Sequence, residues 1–255
     1  WNPGWKPTQT ELDSYECRHG IGYSRFTGAK NNLEASVLTF VPMDDNCEVS
    51  RVTLTNQSED AKSVSLFSYV EWCLWNADDD SRNFQRNLST GEVEVVGSTI
   101  YHKTEYRERR NHYAIYSVNT PVDGFDTSRD AFLGAYRGAN NPEAVENDKA
   151  SNSIASGWSP IASHQINVSL APGESKSFVF VLGYVENPEA EKWEAPGVVN
   201  KKPAEAMLSR YQTDADVDQA FEALNTYWSG LLSKYTVKSS NDKVDRMVNI
   251  WNQNQ

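Results

Sequence analysis

The chain has 255 residues, among them 8 Trp, 12 Tyr and 9 Phe, and its 24 Lys and Arg stand against 35 Asp and Glu for a net charge of −11. This length suits one large all-β domain, alone or with a small appendage. The negative charge disfavours nucleic acid or an anionic membrane as partner, and no apolar run approaches the ~20 residues of a membrane span.

The first residues, "WNPGW", contain neither a methionine nor the basic and apolar regions of a secretory leader, so a cytoplasmic protein is expected. Both ends read as cuts, since the last residues, "VDRMVNIWNQNQ", stop within a helical pattern. Cys17, Cys47 and Cys73 have no metal-ligand spacing and read as reduced thiols.

From residue 33 to about 185 the dominant period is two. The runs 33–41, 47–55 and 63–72 are separated by short turns and predict a three-strand meander. Further strands are expected at 99–103, 112–119, 164–170 and 176–185, with "APGES" joining the last two as a hairpin whose Pro172 and Gly173 fit a type II turn. Residues 120–158 form a long connection rich in Gly, Asn, Ser and Asp, in which "FDTSRDAFLGAY" is the segment expected to order. After about residue 200 the period becomes helical. Val217, Phe221, Leu224, Trp228 and Leu231 share one face behind a capping box of Thr213 and Asp216. A second helix is expected behind Ser240 or Asn241, with Val244, Met247, Val248 and Trp251 on one face, and "KPAEAMLSRY" predicts a shorter one before both. Something helical is expected to follow.

Phosphate-binding glycine loops, serine-hydrolase elbows and metal-ligand clusters are missing from the sequence. His19, His102, His112 and His164 are scattered among strands and loops and read as structural. The Asp78 to Asp80 run lacks calcium-loop spacing and reads as a solvated acidic loop. Three N-x-S sequons, at Asn56, Asn87 and Asn167, carry little weight without a leader. The segment "CLWNADDDSRNFQRNLSTGEVEV" is sharper, because it sets Trp75, Phe84 and Arg86 on what ought to be a solvent loop. Arg86, with Asn87 and Ser89, is a dense set of donors and acceptors suited to reading hydroxyl groups, although composition alone favours a pairing of Arg86 with Asp78 to Asp80 that pins the loop.

Six blocks, "WNPGWKPTQTELDSYECRHGIGYSRF", "VEWCLWNADDDSRNFQRNLSTGEVEV", "IYHKTEYRERRNHYA", "DGFDTSRDAFLGAY", "LGYVENPEAEKW" and "DRMVNIWNQ", resemble, in order, those of the cellobiose phosphorylases of glycoside hydrolase family 94. The resemblance spans essentially the whole chain. It implies a mainly β fold, a large antiparallel galactose-mutarotase-like super-sandwich over residues 1–198, followed by linker helices over 199–255 that lead to an (α/α)₆ catalytic barrel. The implied enzyme is a cytosolic homodimer that uses inorganic phosphate as co-substrate, and no cofactor or metal, to split cellobiose into α-glucose 1-phosphate and glucose. Its general acid falls beyond Gln255, so this chain alone is expected to be inactive. The resemblance also implies that a sandwich loop reaches the acceptor glucose through the arginine of the "QRN" block, here Arg86, with Asn87 and Trp75 beside it. A stand-alone carbohydrate-binding or structural sandwich module is the competing expectation.

Overall fold

In the computed structural model, which describes residues 1–72, 91–104, 111–157 and 159–252, the alternating segments pair into two packed antiparallel sheets. In chain order the strands are β1 (Ser14–Gly20), β2 (Tyr23–Lys30), β3 (Leu33–Phe40), β4 (Cys47–Asn56), β5 (Lys62–Phe67), β6 (Val70–Glu71), β7 (Gly91–Val96), β8 (Thr99–Thr104), β9 (His112–Val118) and β10 (Gly124–Ser128). Two short helices follow, α1 (Arg129–Leu133) and α2 (Glu143–Glu146), then β11 (Pro160–Leu170), β12 (Ser175–Glu186) and the small hairpin of β13 (Trp193–Ala195) and β14 (Val198–Val199). The chain continues in α3 (Lys202–Leu208), α4 (Asp214–Leu232) and α5 (Asp242–Arg246), the last running into a π-helical turn, Met247–Trp251.

The large sheet has eight strands in the order β1-β2-β3-β4-β12-β9-β8-β7, and the smaller has β10-β11-β5 with β6 paired to β11. β12 is the key to the layering. Phe178 and Phe180 point between the sheets, where they meet Leu54, Ile100, Tyr116, Ile166 and Val168. Val179 and Val181 point the other way, onto Phe40, Val49, Ile115, Met207, Val217 and Leu224 under α3 and α4. A strand buried on both faces is apolar at nearly every position, which is why "SFVFVLGYV" reads as a continuous run.

The helices form where the 3.6 period predicts them. Thr213 Oγ1 accepts from the Asp216 amide at 3.2 Å while the Asp216 carboxylate accepts from the Thr213 amide at 2.8 Å, a reciprocal cap that starts α4. Asn241, the cap of α5, accepts from the Lys243 amide at 3.0 Å.

Two strand pairings differ from the expectation. The third run of the anticipated meander leaves β4 for the small sheet, where β5 pairs with β11, and β4 takes β12 as its partner. Residues 171–174 do turn as anticipated, with Gly173 at φ 72° and the Glu174 amide donating to the Ala171 carbonyl at 3.0 Å. They carry the chain from one sheet to the other, so β11 and β12 are not a hairpin. The run 63–72 is also interrupted at Ser68 and Tyr69, between β5 and β6, where the Ser68 hydroxyl accepts from the His164 amide at 3.0 Å. Asn56 is fully buried and donates to the Asp60, Leu170 and Ala171 carbonyls, which removes it as a glycan acceptor in the folded chain.

Candidate functional site

The segment from Cys73 to Thr90, with Trp75, Asp78 to Asp80, Arg86 and Asn87, lies outside the described residues, as do residues 105–110. Their stems are described, and they converge at one end of the sandwich. Trp72 follows β6, Gly91 begins β7, β8 ends at Thr104, and Asn111 precedes β9. Gly157 reaches the same place, its amide donating to the Gly91 carbonyl at 3.1 Å.

A buried imidazole organises this end. His102 is placed on the inner face of β8 by the register that sets it opposite Ala114 of β9 and Val93 of β7. Its ring stacks on the Trp72 indole with centroids 5.3 Å apart and planes 11° from parallel. On its other side it abuts the backbone of Gly91, where a Cβ would stand 2.0 Å from His102 Cε1 and 2.6 Å from the Lys103 carbonyl oxygen. Position 91 therefore accepts glycine for lack of space. Neither His102 Nδ1 nor Trp72 Nε1 has a hydrogen-bond partner among the described residues. Burial, and secondarily the nearby His112, pushes the His102 imidazole down to about 3 and keeps it neutral.

Deeper between the sheets, Tyr116 stacks on His164 at 5.2 Å and on Phe180 at 5.8 Å, and burial lowers His164 to about 4. On the small sheet Glu71 accepts from Tyr69 Oη at 2.5 Å and from Arg129 Nε at 2.9 Å, and Tyr69 stacks on Phe132 of α1. Across the opening, His112 Nδ1 lies 3.1 Å from Tyr184 Oη, and Asn111 donates to the Asn187 carbonyl at 2.7 Å, which ties the start of β9 to the end of β12.

Behind the same strands lies a buried charge cluster that sequence reasoning did not single out. Lys103 and Lys201, with side chains 6% and 7% exposed, both reach Glu94, Lys103 at 2.9 Å to Oε1 and Lys201 to Oε2. Burial pushes the Glu94 carboxyl up, but bonds from Lys201, the Val199 amide and Lys103 outweigh it and hold the group below its ordinary range. The cluster ties β7 and β8 to the chain entering α3. Its signal was the "EVEV" alternation beside "HK", which puts the acids on one face of a strand opposite a lysine.

These groups are suited to holding and orienting, not to proton transfer. His102 and His164 are neutral through the physiological range. Among the described residues there is no group of three or more His, Cys, Asp or Glu able to hold a metal.

The sequence profile of the glycosyl hydrolase 94 supersandwich domain matches residues 1–215. The chain belongs to the glycosyl hydrolase 94 supersandwich family. Within that family it is 32% identical over 257 aligned residues to an N,N'-diacetylchitobiose phosphorylase of Vibrio proteolyticus, covering 98% of this chain and 30% of that protein. It is 25% identical to a solabiose phosphorylase of Paenibacillus borealis, covering 98% and 31%. A bacterial glucoamylase solved with acarbose is similar at 11% identity and a TM-score of 0.46, over 84% of this chain and 29% of that one. The chain thus spans about 30% of the length of the two phosphorylases it matches.

Proposed function

We propose that this supersandwich and its helices are the N-terminal part of an inverting disaccharide phosphorylase that converts cellobiose and phosphate to α-glucose 1-phosphate and glucose. The observation that carries the phosphorylase reading is the 32% identity to an N,N'-diacetylchitobiose phosphorylase along 98% of the chain, and cellobiose as the substrate rests on the six-block resemblance. In such a reaction phosphate is the nucleophile, so the protein needs one positioned acid and an anion site in place of two carboxylates with a water between them. Both belong to a catalytic barrel that follows Gln255, in line with a described sandwich built for support. Residues 1–198 supply the sandwich and 199–255 the linker, whose exposed Tyr227, Leu231, Val244, Met247 and Trp251 are the face that meets the barrel. The sandwich contributes the acceptor-side contact through Arg86, with Asn87 and Trp75 beside it, and takes part in the contacts of a cytosolic homodimer.

The test is phosphorolysis by the full-length enzyme that carries this chain, with inorganic phosphate and a panel of cellobiose, N,N'-diacetylchitobiose and solabiose, scored by release of the sugar 1-phosphate. α-Glucose 1-phosphate from cellobiose is expected. Release only from diacetylchitobiose overturns the substrate, and release from none of the panel overturns the reaction. The 255-residue chain alone is expected to release nothing.

A further inference from the structure

The two layers of the sandwich are unequal: eight strands face a sheet of three, with the short β6 added beside β11. Among the described residues, the core between the layers draws on β3, β4, β7, β8, β9 and β12 of the large sheet and on neither β1 nor β2. The register carries the inner face onward all the same. Val52 of β4, which packs on that core, stands opposite Val37 of β3, Val37 opposite Phe26 of β2, and Phe26 opposite Cys17 of β1. Paired residues share one face of a sheet, yet Val37, Phe26 and Cys17 are half-buried and join no core cluster. The N-terminal segment borders the same face. A Cβ at Gly28 would stand 2.8 Å from Leu12 Cδ1 and 3.0 Å from the Pro3 carbonyl oxygen, and the nearby Trp1, Trp5 and Tyr15 are exposed.

Open strand edges flank this surface. Among the described residues β1 pairs only with β2, and β5 only with β11. β5 follows β4 after residues 57–61 and β10 follows β9 after residues 119–123, so β5 is the edge of the small sheet turned towards β1 and β2. A second row, His19, Ser24, Thr39 and Ser50, crosses the same four strands. Its polar atoms are engaged locally: His19 Nδ1 lies 2.8 Å from Ser24 Oγ, His19 Nε2 3.1 Å from Cys17 Sγ, and Thr39 Oγ1 2.7 Å from Ser50 Oγ. Such a face can be buried without stranding a donor, which suits a packed strand better than a sugar whose hydroxyls need free partners.

We propose that strands from the part of the full-length polypeptide outside residues 1–255 pair with the open edge of β5, extend the small sheet and lay an apolar face on Cys17, Phe26 and Val37. The proposal rests on the reading of this chain as one part of a longer protein, and not on the sugar that protein splits. The chain spans about 30% of the length of the phosphorylases it matches, which leaves the greater part of such a protein to supply the cover. Strands lie about 4.8 Å apart within a sheet, so one hairpin beyond β5 reaches over β2 and β1. Its inward side chains are apolar at alternate positions, as Val64 and Leu66 of β5 are. A second copy of this chain fits less well, because each copy brings a net charge of −11.

The experiment uses the full-length protein carrying Phe26→p-benzoylphenylalanine or, separately, Val37→p-benzoylphenylalanine, with the photo-cross-linked peptides mapped by mass spectrometry. Alongside, the unsubstituted protein is treated with N-ethylmaleimide in native buffer and in urea. Cross-links from both positions are expected to join a peptide outside residues 1–255 within one polypeptide. Cys17 is expected to be alkylated at least about tenfold more slowly in the native protein than in urea. Cross-links confined to residues 1–255, or no cross-link from either position, overturn the proposal. Cross-links at the mass of a dimer also overturn it, by assigning the face to a second copy. Alkylation of native Cys17 at the urea rate overturns it too, and that measurement stands even if neither substituted protein folds. Phosphorolysis by the same samples keeps the two readings apart. Activity with cross-links confined to residues 1–255 refutes the cover and leaves the enzyme reading, and an outside cross-link in an inactive protein does the reverse.

Discussion

Replacing Glu94 by Gln keeps the shape of the side chain and removes the charge on which two buried lysines converge. In the native chain Glu94 Oε1 stands 2.9 Å from Lys103 Nζ and 2.9 Å from the Val199 amide, while Oε2 meets Lys201 Nζ. Breaking a buried ion pair by removing one partner costs about 3–5 kcal/mol, because the other charge stays desolvated. Here each lysine keeps other acceptors, Lys103 the Glu92 carboxylate at 3.1 Å and the Gly197 carbonyl at 2.6 Å, and Lys201 the Glu194 carboxylate at 3.3 Å and the Val199 carbonyl at 3.1 Å. The lower end of the range, about 3 kcal/mol, is therefore expected. At 2–4 °C per kcal/mol for a chain of this size, the melting midpoint falls by roughly 6–12 °C. The sign with pH follows from the lowered carboxyl: its contribution is present above the unfolded carboxylate range and lost as pH falls through the folded value. The difference between wild type and Glu94→Gln should accordingly be full at pH 7 and shrink at low pH. Urea unfolding at both pH values measures it, and adding Lys201→Met to Glu94→Gln should recover part of the loss. A loss under about 1 kcal/mol at pH 7, or one independent of pH, would refute the reasoning.

The two depressed histidines make a claim of the same sign in a higher pH window. His102 and His164 titrate near 3 and 4 when folded and near 6.5 when unfolded, so the unfolded chain binds more protons across that interval and stability falls as pH drops below about 6.5. The urea midpoint should decline between pH 7 and 5, before the carboxylates respond, and less steeply in His164→Phe; a flat profile contradicts it. Burial, then the charge of Asp45, pushes the Cys47 thiol up to about 12, so peptide mapping after iodoacetamide at pH 8 should find Cys47 unmodified in the native chain and modified in urea. Thr213→Ala removes one half of the α4 capping box and should cost about 1 kcal/mol by urea unfolding, with no loss counting against the cap.

The helices and most strands are legible in the sequence because their signals are local. Thr213 and Asp216 mark the start of α4 within four positions, and the apolar spacing of Val217 and Leu224 marks its buried face. The partner of a strand is a non-local property. β4 and β5 alternate alike and are joined by a short turn, and nothing within 47–67 says that β5 belongs to the other layer. Pro172 and Gly173 likewise fix a turn geometry without fixing which sheet receives the exit. β1 was missed for a different reason, since "SYECRHG" lies at a sheet edge with both faces largely exposed and so has no apolar alternation to read. At the candidate site the stems show a related limit. "H-K" in β8 carries no mark that one residue is a neutral stacked ring and the next a buried cation, since burial on opposite faces decides both. The anticipated Arg86, Asn87 and Trp75 lie outside the described residues, so the stems alone connect them to the fold.

The place of β12 between β4 and β9 also governs how the molecule is made. During synthesis β1 to β4 emerge first and β7 to β9 later, and neither ribbon can join the other until residues 175–186 have left the ribosome. Until then each ribbon ends in an unpaired edge, of β4 on one side and β9 on the other, open to pairing with the wrong chain. At about 5–20 residues per second, the roughly 120 residues between the end of β4 and the start of β12 leave the β4 edge open for several seconds. The last long strand of the sandwich thus acts as a keystone, and nascent-chain crowding presses hardest just before it arrives.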